Sequence, residues 1–203
     1  MILVGRDLSP FVRRCAIVMN LLGLEYERKI VAAAQDAELI KRYNPLGRVP
    51  ALILADEVVI DSHAIIDYLL DAYDAAELLL PKNGEARRQS LKINALAVGT
   101  MEKTVASAYE RTLRPKEFIY EPYLSKLNDQ VAAGLEALDR VCPSDTWIGG
   151  ATPNLADISA VVAYDQAGIV LPELQGIAGN LAALSLKSEG LLAFSETRWV
   201  ADP

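Results

Sequence analysis

A change of period part-way along the chain constrains its fold more than any other feature. Through the first eighty residues, short β-like runs alternate with helical ones; beyond Pro81-Lys82-Asn83-Gly84 only helical spacing remains. Ile2-Leu3-Val4 reads as a short buried strand, followed by a connection over residues 5–9. From residue 10 to 22 the spacing switches to 3.6, with Val12, Cys15, Ala16, Met19 and Leu22 on one stripe. Ser9 before Pro10 is a helix start, with a capping side chain and proline at the first position. Gly23 ends that helix. A second strand is expected over 26–31, and a short helix over 37–43 that stops before Pro45. Residues 51–54 and 58–60 form a hairpin around Ala55-Asp56-Glu57. Ile65, Ile66, Leu69, Ala72 and Tyr73 then mark another helix. The order is βαβ, then α, then ββα.

The remainder predicts helices only. Val98, Met101, Val105, Ala108 and Thr112 keep helical spacing up to Pro115. Leu124, Leu127, Val131, Leu135, Leu138 and Val141 form a second long stripe, stopped by Pro143. Residues 154–168 are apolar nearly all round, as a buried helix requires. Residues 180–198 hold one or two more helices, with Gly190 as a break. The expectation is an α/β domain over 1–78 and an all-helical domain over 85–203.

Composition removes several functions. Among 203 residues there is one histidine, His63, and there are two cysteines, Cys15 and Cys142, so no His/Cys metal cluster can be built from them. No metal is expected. A Ser-His-Asp triad would have to use that one histidine. Twenty basic against 27 acidic residues, a formal charge of −7, argue against a broad nucleic-acid surface. The cysteines, 127 residues apart, fit a reduced compartment. The start lacks a signal-peptide pattern, and the longest apolar stretch, 168–186, is broken by Pro172 and Glu173. A soluble, cytoplasmic protein is expected, with neither membrane nor nucleic acid as a partner.

Three places carry candidate chemistry, each with a plain structural alternative. Pro50, at a strand entrance, donates no ladder bond and needs no further explanation there; a cis Val49-Pro50 peptide would instead aim the Val49 backbone groups at a peptide-like ligand. Asp61-Ser62 is either a helix cap or a site for a zwitterionic amino-acid end. In the second case helix N–H groups and the Ser62 hydroxyl take the carboxylate, while Asp61 takes the amine. His63, beside that cap with no nucleophile motif before it, reads as a bystander. Ser9 alone reads as a plain N-cap.

Taken in order, these pieces resemble the soluble glutathione transferases. The matching segments are Ser9-Pro10-Phe11-Val12-Arg13-Arg14, Asn44-Pro45-Leu46-Gly47-Arg48-Val49-Pro50-Ala51-Leu52 and Asp61-Ser62-His63-Ala64-Ile65. Asn154-Leu155-Ala156-Asp157-Ile158 resembles the family's capping box, with Asn154 as cap and Asp157 reaching back to its backbone. The Phe194/Thr197 ending is similar to bacterial members. The resemblance implies a thioredoxin-like βαβ-α-ββα domain followed by an all-helical one. It implies glutathione as co-substrate, a small electrophile as second substrate, and a homodimer. Ser9 would stabilise the glutathione thiolate and Val49, before a cis Pro50, would pair with the cysteinyl backbone. Asp61 and Ser62 would hold the γ-glutamyl end, Arg48 would meet the glycine carboxylate, and Phe11 would line the same site. The electrophile would lie between the domains, near Leu8, Phe11 and Tyr109, with no catalytic role for Tyr109. Without an early catalytic tyrosine, and with serine rather than cysteine at position 9, the chain resembles serine-type bacterial members. A dithiol motif would need cysteines at 9 and 12, and Cys15, on the core stripe, is expected buried and inert. The fold also hosts glutathione-dependent isomerases, dehalogenases and peroxidases, and non-catalytic interaction proteins.

Overall fold

The computed structural model describes residues 1–32 and 36–199. Two compact units divide the chain: residues 1–80 together with the segment from Gly190 onward, and Pro81–Glu189.

The first unit is built on a four-stranded sheet: β1 (Ile2–Val4), β2 (Glu27–Lys29), β3 (Ala51–Ile53) and β4 (Val58–Ile60). The spatial order is β2-β1-β3-β4, with β1 parallel to β2 and antiparallel to β3, and β4 antiparallel to β3. Register places Val4 opposite Ala51, and Ala51 opposite Ile60. The turn of the β3–β4 hairpin closes through Leu54 N–H donating to Glu57 O at 2.9 Å. Strand residues alternate between faces. Val4 and Ala51 cluster with Val31 and with Ile40 of the short α2 (Ala37–Ile40). Leu3 and Leu52, one position along, point to the opposite face and are fully buried. Two longer helices, α1 (Pro10–Leu21) and α3 (Ser62–Tyr73), pack on each other and on β1 and β3. This is the thioredoxin-like arrangement that the family resemblance implies. The burial of α1 exceeds one stripe, because Arg13, Arg14, Ile17 and Val18 are interior as well as Val12, Cys15, Ala16 and Met19.

The second unit is helical: α4 (Gly84–Thr112), α5 (Glu121–Asp139), α6 (Leu155–Val170) and α7 (Gly179–Ser188). The helix α6, buried from Leu155 to Ala167, packs on α4, and α4 packs on α5. Leu124, Leu127, Val131, Leu135 and Leu138 are all buried, whereas Val141 lies past the end of α5 and is exposed. The stripe expected along α4 needs correction. Val98 and Met101 are buried, but the interior row continues through Thr104, Ser107 and Glu110, and Thr112 is exposed. Those polar groups are buried because each has a partner. Thr104 Oγ1 donates to Thr100 O at 2.9 Å, Ser107 Oγ bonds Asn128 Oδ1 at 2.8 Å, and Glu110 pairs with Arg114 at 2.6 Å.

The C-terminal segment also departs from expectation. Everything beyond residue 85 reads as one helical domain, yet α8 (Leu192–Ser195) packs on α1. Phe194 is buried there, and Asn20 Nδ2 donates to Ala193 O at 3.5 Å. No helix among the described residues is long and apolar enough to cross a membrane.

Candidate functional site

The loop from β1 to α1 is held from several sides before it delivers Ser9. Gly5 has φ +127°, and a Cβ there would strike Val12 and lie 3.1 Å from the Val49 Cβ. Only glycine lets the loop, α1 and the segment before β3 come this close. Arg28 on β2 pairs with Asp7 at 2.8 Å, and Ser9 N–H donates to Arg6 O at 3.0 Å. Ser9 is the N-cap residue of α1, with extended φ −78° and ψ 118°, and its carbonyl accepts from Val12 and Arg13 N–H at 3.1 and 3.0 Å. Its side chain makes no cap hydrogen bond. The plain-cap role of the Ser9 hydroxyl is therefore not realised. Ser9 is partly exposed at a helix N-terminus whose first turn holds no acidic residue.

The Val49–Pro50 peptide is cis. Its approach is shaped by Asn44, 3% exposed, whose Nδ2 donates to Arg48 O at 2.9 Å and whose Oδ1 accepts from Leu46 N–H at 3.0 Å. Gly47 N–H returns to Asn44 O at 2.9 Å. No turn, loop or cap hydrogen bond among the described residues uses the Val49 backbone. Pro50 is buried, Val49 partly exposed and Arg48 exposed.

Asp61 has φ 72° and ψ 137°, a region that residues with a Cβ rarely occupy. Its Oδ1 accepts from His63 N–H at 2.8 Å and its carbonyl accepts from Ile65 N–H at 3.0 Å, so it caps α3 while its carboxylate stays exposed. Ser62 is 2% exposed, and its Oγ accepts from Arg14 Nη1 at 3.2 Å. Cys15 Sγ lies 3.9 Å from Ser62 O. Burial pushes the Cys15 thiol up to about 12, Arg14 opposing that and the neighbouring Asp61 adding to it, so the thiol stays protonated at neutral pH. Burial pulls the Arg14 guanidinium down to about 10, opposed by Cys15 and Asp61, which leaves it cationic at neutral pH. His63 is exposed.

Three stretches far apart in sequence thus converge on α1 and the loop before it. Ser9 starts the helix, Val49 meets Gly5, and Ser62 meets Arg14 and Cys15. Leu8 and Phe11 are partly exposed beside Ser9. Tyr109 is exposed on α4, in the other unit. The Asn154 and Asp157 capping box is present: Asn154 Oδ1 accepts from Ala156 and Asp157 N–H, and Asp157 accepts from Asn154, Ile148 and Gly149 N–H. It is a structural device of α6. No group of acidic, histidine or cysteine side chains that could hold a metal occurs among the described residues. Sequence reasoning passed over Arg14, Asn44 and the Asp7–Arg28 pair; for Asn44 the Asn-Pro-Leu-Gly turn composition was the available signal.

Residues 3–77 match the family model described as Glutathione S-transferase, N-terminal domain. The chain is 30% identical over 162 residues to the Escherichia coli K12 protein named Uncharacterized GST-like protein YibF, covering 79% of each chain. It is 29% identical over 157 residues to a Triticum aestivum glutathione S-transferase, covering 73% of this chain and 70% of that one. Its fold is similar to the crystal structure of a glutathione S-transferase from Methylobacillus flagellatus KT with GSH bound: TM-score 0.89, 26% identity, covering 98% of this chain and 99% of that one. With its thioredoxin-like sheet, its helical second unit and these relatives, the chain belongs to the glutathione transferase family.

Proposed function

We propose that this protein conjugates the thiolate of glutathione to a small, apolar electrophile, with Ser9 stabilising the thiolate. The observation that carries the reading is the Ser9 hydroxyl, left out of the helix cap at the start of α1. A capping hydroxyl is turned into the helix to accept from a first-turn N–H; this one is not held that way, and it can turn its hydrogen toward a sulfur anion. Pro10 has no N–H and the Val12 and Arg13 N–H groups go to Ser9 O, so Phe11 N–H is the remaining first-turn donor to join it.

Magnitudes support the assignment. A cysteine-type thiol with pKa near 8.5 is about 3% thiolate at neutral pH. Lowering it by about two units takes ~2.7 kcal/mol of preferential anion stabilisation. A hydrogen bond to a charged group contributes about 1.5–3 kcal/mol and a helix N-terminus about 0.3–1 kcal/mol. The two suffice without a general base, consistent with the exposed position of His63.

In this reading the Val49 backbone pairs with the cysteinyl residue of glutathione beside the cis Pro50. Asp61 takes the γ-glutamyl amine, Ser62 its α-carboxylate, and exposed Arg48 the glycine carboxylate. Leu8 and Phe11 give apolar surface next to the sulfur. The proposal includes a cytoplasmic, two-fold homodimeric enzyme. A species of twice the 22.1 kDa chain mass is the expected result of light scattering, and a 22.1 kDa species at micromolar protein contradicts it.

Thermal unfolding with and without free glutathione tests the binding half. Saturation at 100 times the dissociation constant stabilises by ~2.7 kcal/mol, a rise of several degrees. An unchanged transition at millimolar glutathione would instead mark an interaction protein built on the same fold.

A further inference from the structure

The start of α3 holds one buried polar group whose bonding is only half accounted for. The Ser62 hydroxyl has two lone pairs and one hydrogen. Arg14, a donor only, occupies a lone pair through Nη1 at 3.2 Å. Among the described residues the Ser62 hydrogen has no acceptor, although the residue is 2% exposed. Buried hydroxyls of this kind ordinarily find a partner. The missing partner must be an acceptor, and it must approach from the side away from Arg14.

We propose that Arg14 is a positioning residue for carboxylate recognition: by donating to Ser62 Oγ from the interior, it turns the Ser62 proton toward the α-carboxylate of the γ-glutamyl group of glutathione. The inference rests on the glutathione reading above. Arg14 is fully buried in α1 and does not itself touch the ligand. It acts in two ways. It removes the alternative in which Ser62 donates inward and presents a lone pair, which would repel an anion. It also keeps a cation behind the N-terminus of α3, where it adds to the field of the helix. Neighbouring groups keep this arrangement in place. Cys15, the next residue on α1, sits 3.9 Å from Ser62 O, and Asp61 is fixed by its own bonds to His63 and Ile65. A carboxylate at this point receives a hydroxyl hydrogen bond with a positive charge behind it, while the exposed Asp61 carboxylate remains for the amine.

The test compares glutathione with 4-aminobutyryl-cysteinyl-glycine, which keeps the amine, the thiol and the glycine but lacks the α-carboxylate. Calorimetric dissociation constants are measured for the wild type, Arg14→Met, Arg14→Lys and Ser62→Ala. The wild type is expected to prefer glutathione by about tenfold or more, the range of a charge-assisted hydrogen bond. Arg14→Met is expected to reduce that preference to within about threefold, while kcat at saturating glutathione changes little, as for a lost uniform-binding contact. Arg14→Lys, which keeps the charge and a donor, retains an intermediate preference. A role for Arg14 in packing alone would weaken both ligands by the same factor and leave the ratio unchanged; that result overturns the inference while leaving the glutathione reading intact. Ser62→Ala must also lose the preference, and an unchanged ratio there overturns the inference even if the Arg14 variants fail to fold. Wild-type protein that binds neither ligand overturns the glutathione reading, and this inference with it.

Discussion

Asp7 and Arg28 form a 2.8 Å ion pair that ties the loop carrying Ser9 to the outer strand β2. Both side chains are about four-fifths buried, and Arg28 Nη2 also reaches Gly5 O at 3.5 Å. The pair fixes one end of the segment that runs from the sheet to the start of α1.

Removing it should loosen that segment. Arg28→Met is expected to lower stability by about 1 kcal/mol, or ~2–4 °C in Tm for a chain of this size, since largely buried pairs contribute more than exposed ones but carry a desolvation cost. It should lower kcat further than a stability change alone explains. Calorimetry and steady-state kinetics at a temperature well below both transitions separate the two effects.

Ser9→Ala should act mainly on kcat. With no cap bond to lose, stability is expected to change by less than the ~1 kcal/mol typical of a removed N-cap. Titrating the thiolate absorbance of bound glutathione against pH should show the midpoint moving upward by one unit or more. A midpoint and kcat equal to wild type would return Ser9 to a backbone role and leave Phe11 N–H or Arg13 to activate the sulfur.

Asp61 should separate stability from binding. A residue with a Cβ at φ 72°, ψ 137° costs about 1–3 kcal/mol, whereas replacing an N-cap aspartate by glycine costs only a few tenths. Asp61→Gly is therefore expected to raise Tm by ~2–4 °C. The same variant should raise KM for glutathione about tenfold or more, with kcat nearly unchanged. Asp61→Ala should do the second without the first. A stabilised Asp61→Gly with a normal KM would remove Asp61 from the glutathione site.

The two thiols give a pH signature. Burial raises Cys15 from 9.0 to about 12; burial, with Asp139 and Asp157 adding to it, does the same for Cys142. The native state keeps protons that the unfolded chain releases near pH 9, so stability falls as pH rises from about 9 toward 12, by up to ~1.4 kcal/mol per pH unit for each thiol. Below pH 8 neither contributes a slope. Cys15→Ala should flatten the alkaline limb by about one thiol's share in chemical unfolding at stepped pH. Native protein at pH 8 should resist iodoacetamide, and urea-unfolded protein should take up two equivalents.

Asp157 should matter to folding and not to the ligand. Its carboxylate accepts from Ile148, Gly149 and Asn154 N–H at 2.6, 2.9 and 2.9 Å. Asp157→Ala takes the shared buried acceptor from three N–H groups on partly exposed or exposed residues, and is expected to lower Tm by several degrees, water replacing part of what is lost. Asn154→Ala should cost about 1 kcal/mol. Protein that does fold should bind glutathione normally; a weakened Kd at unchanged Tm would contradict a purely structural box.

What could be read from the sequence was local. The Asn154/Asp157 box spans four residues and needs no distant partner, and the order of elements along the chain followed from short runs broken by turn residues. Where burial depends on a partner far along the chain, the sequence misled. Nothing in the spacing along α1 marks Arg14 as interior, and one partner that holds it there, Ser62, lies 48 residues later. The stripe expected along α4 runs on through Val105, Ala108 and Thr112, but hydrogen bonds within α4 and to α5 put Thr104, Ser107 and Glu110 inside instead. The cap at Ser9 failed for a different reason: serine before proline favours a capped start, and local preference does not oblige the hydroxyl to take it.

The packing of α8 on α1 gives the first unit a discontinuous origin. Its sheet and first three helices leave the ribosome early, but the surface of α1 that receives Phe194 stays uncovered until the whole helical unit has been synthesised. A fragment ending at Leu80 is therefore an unfinished body with an apolar wound on α1, prone to aggregation or chaperone capture. Circular rearrangement that brings the segment from Gly190 ahead of Met1 offers the nascent chain what it otherwise waits for.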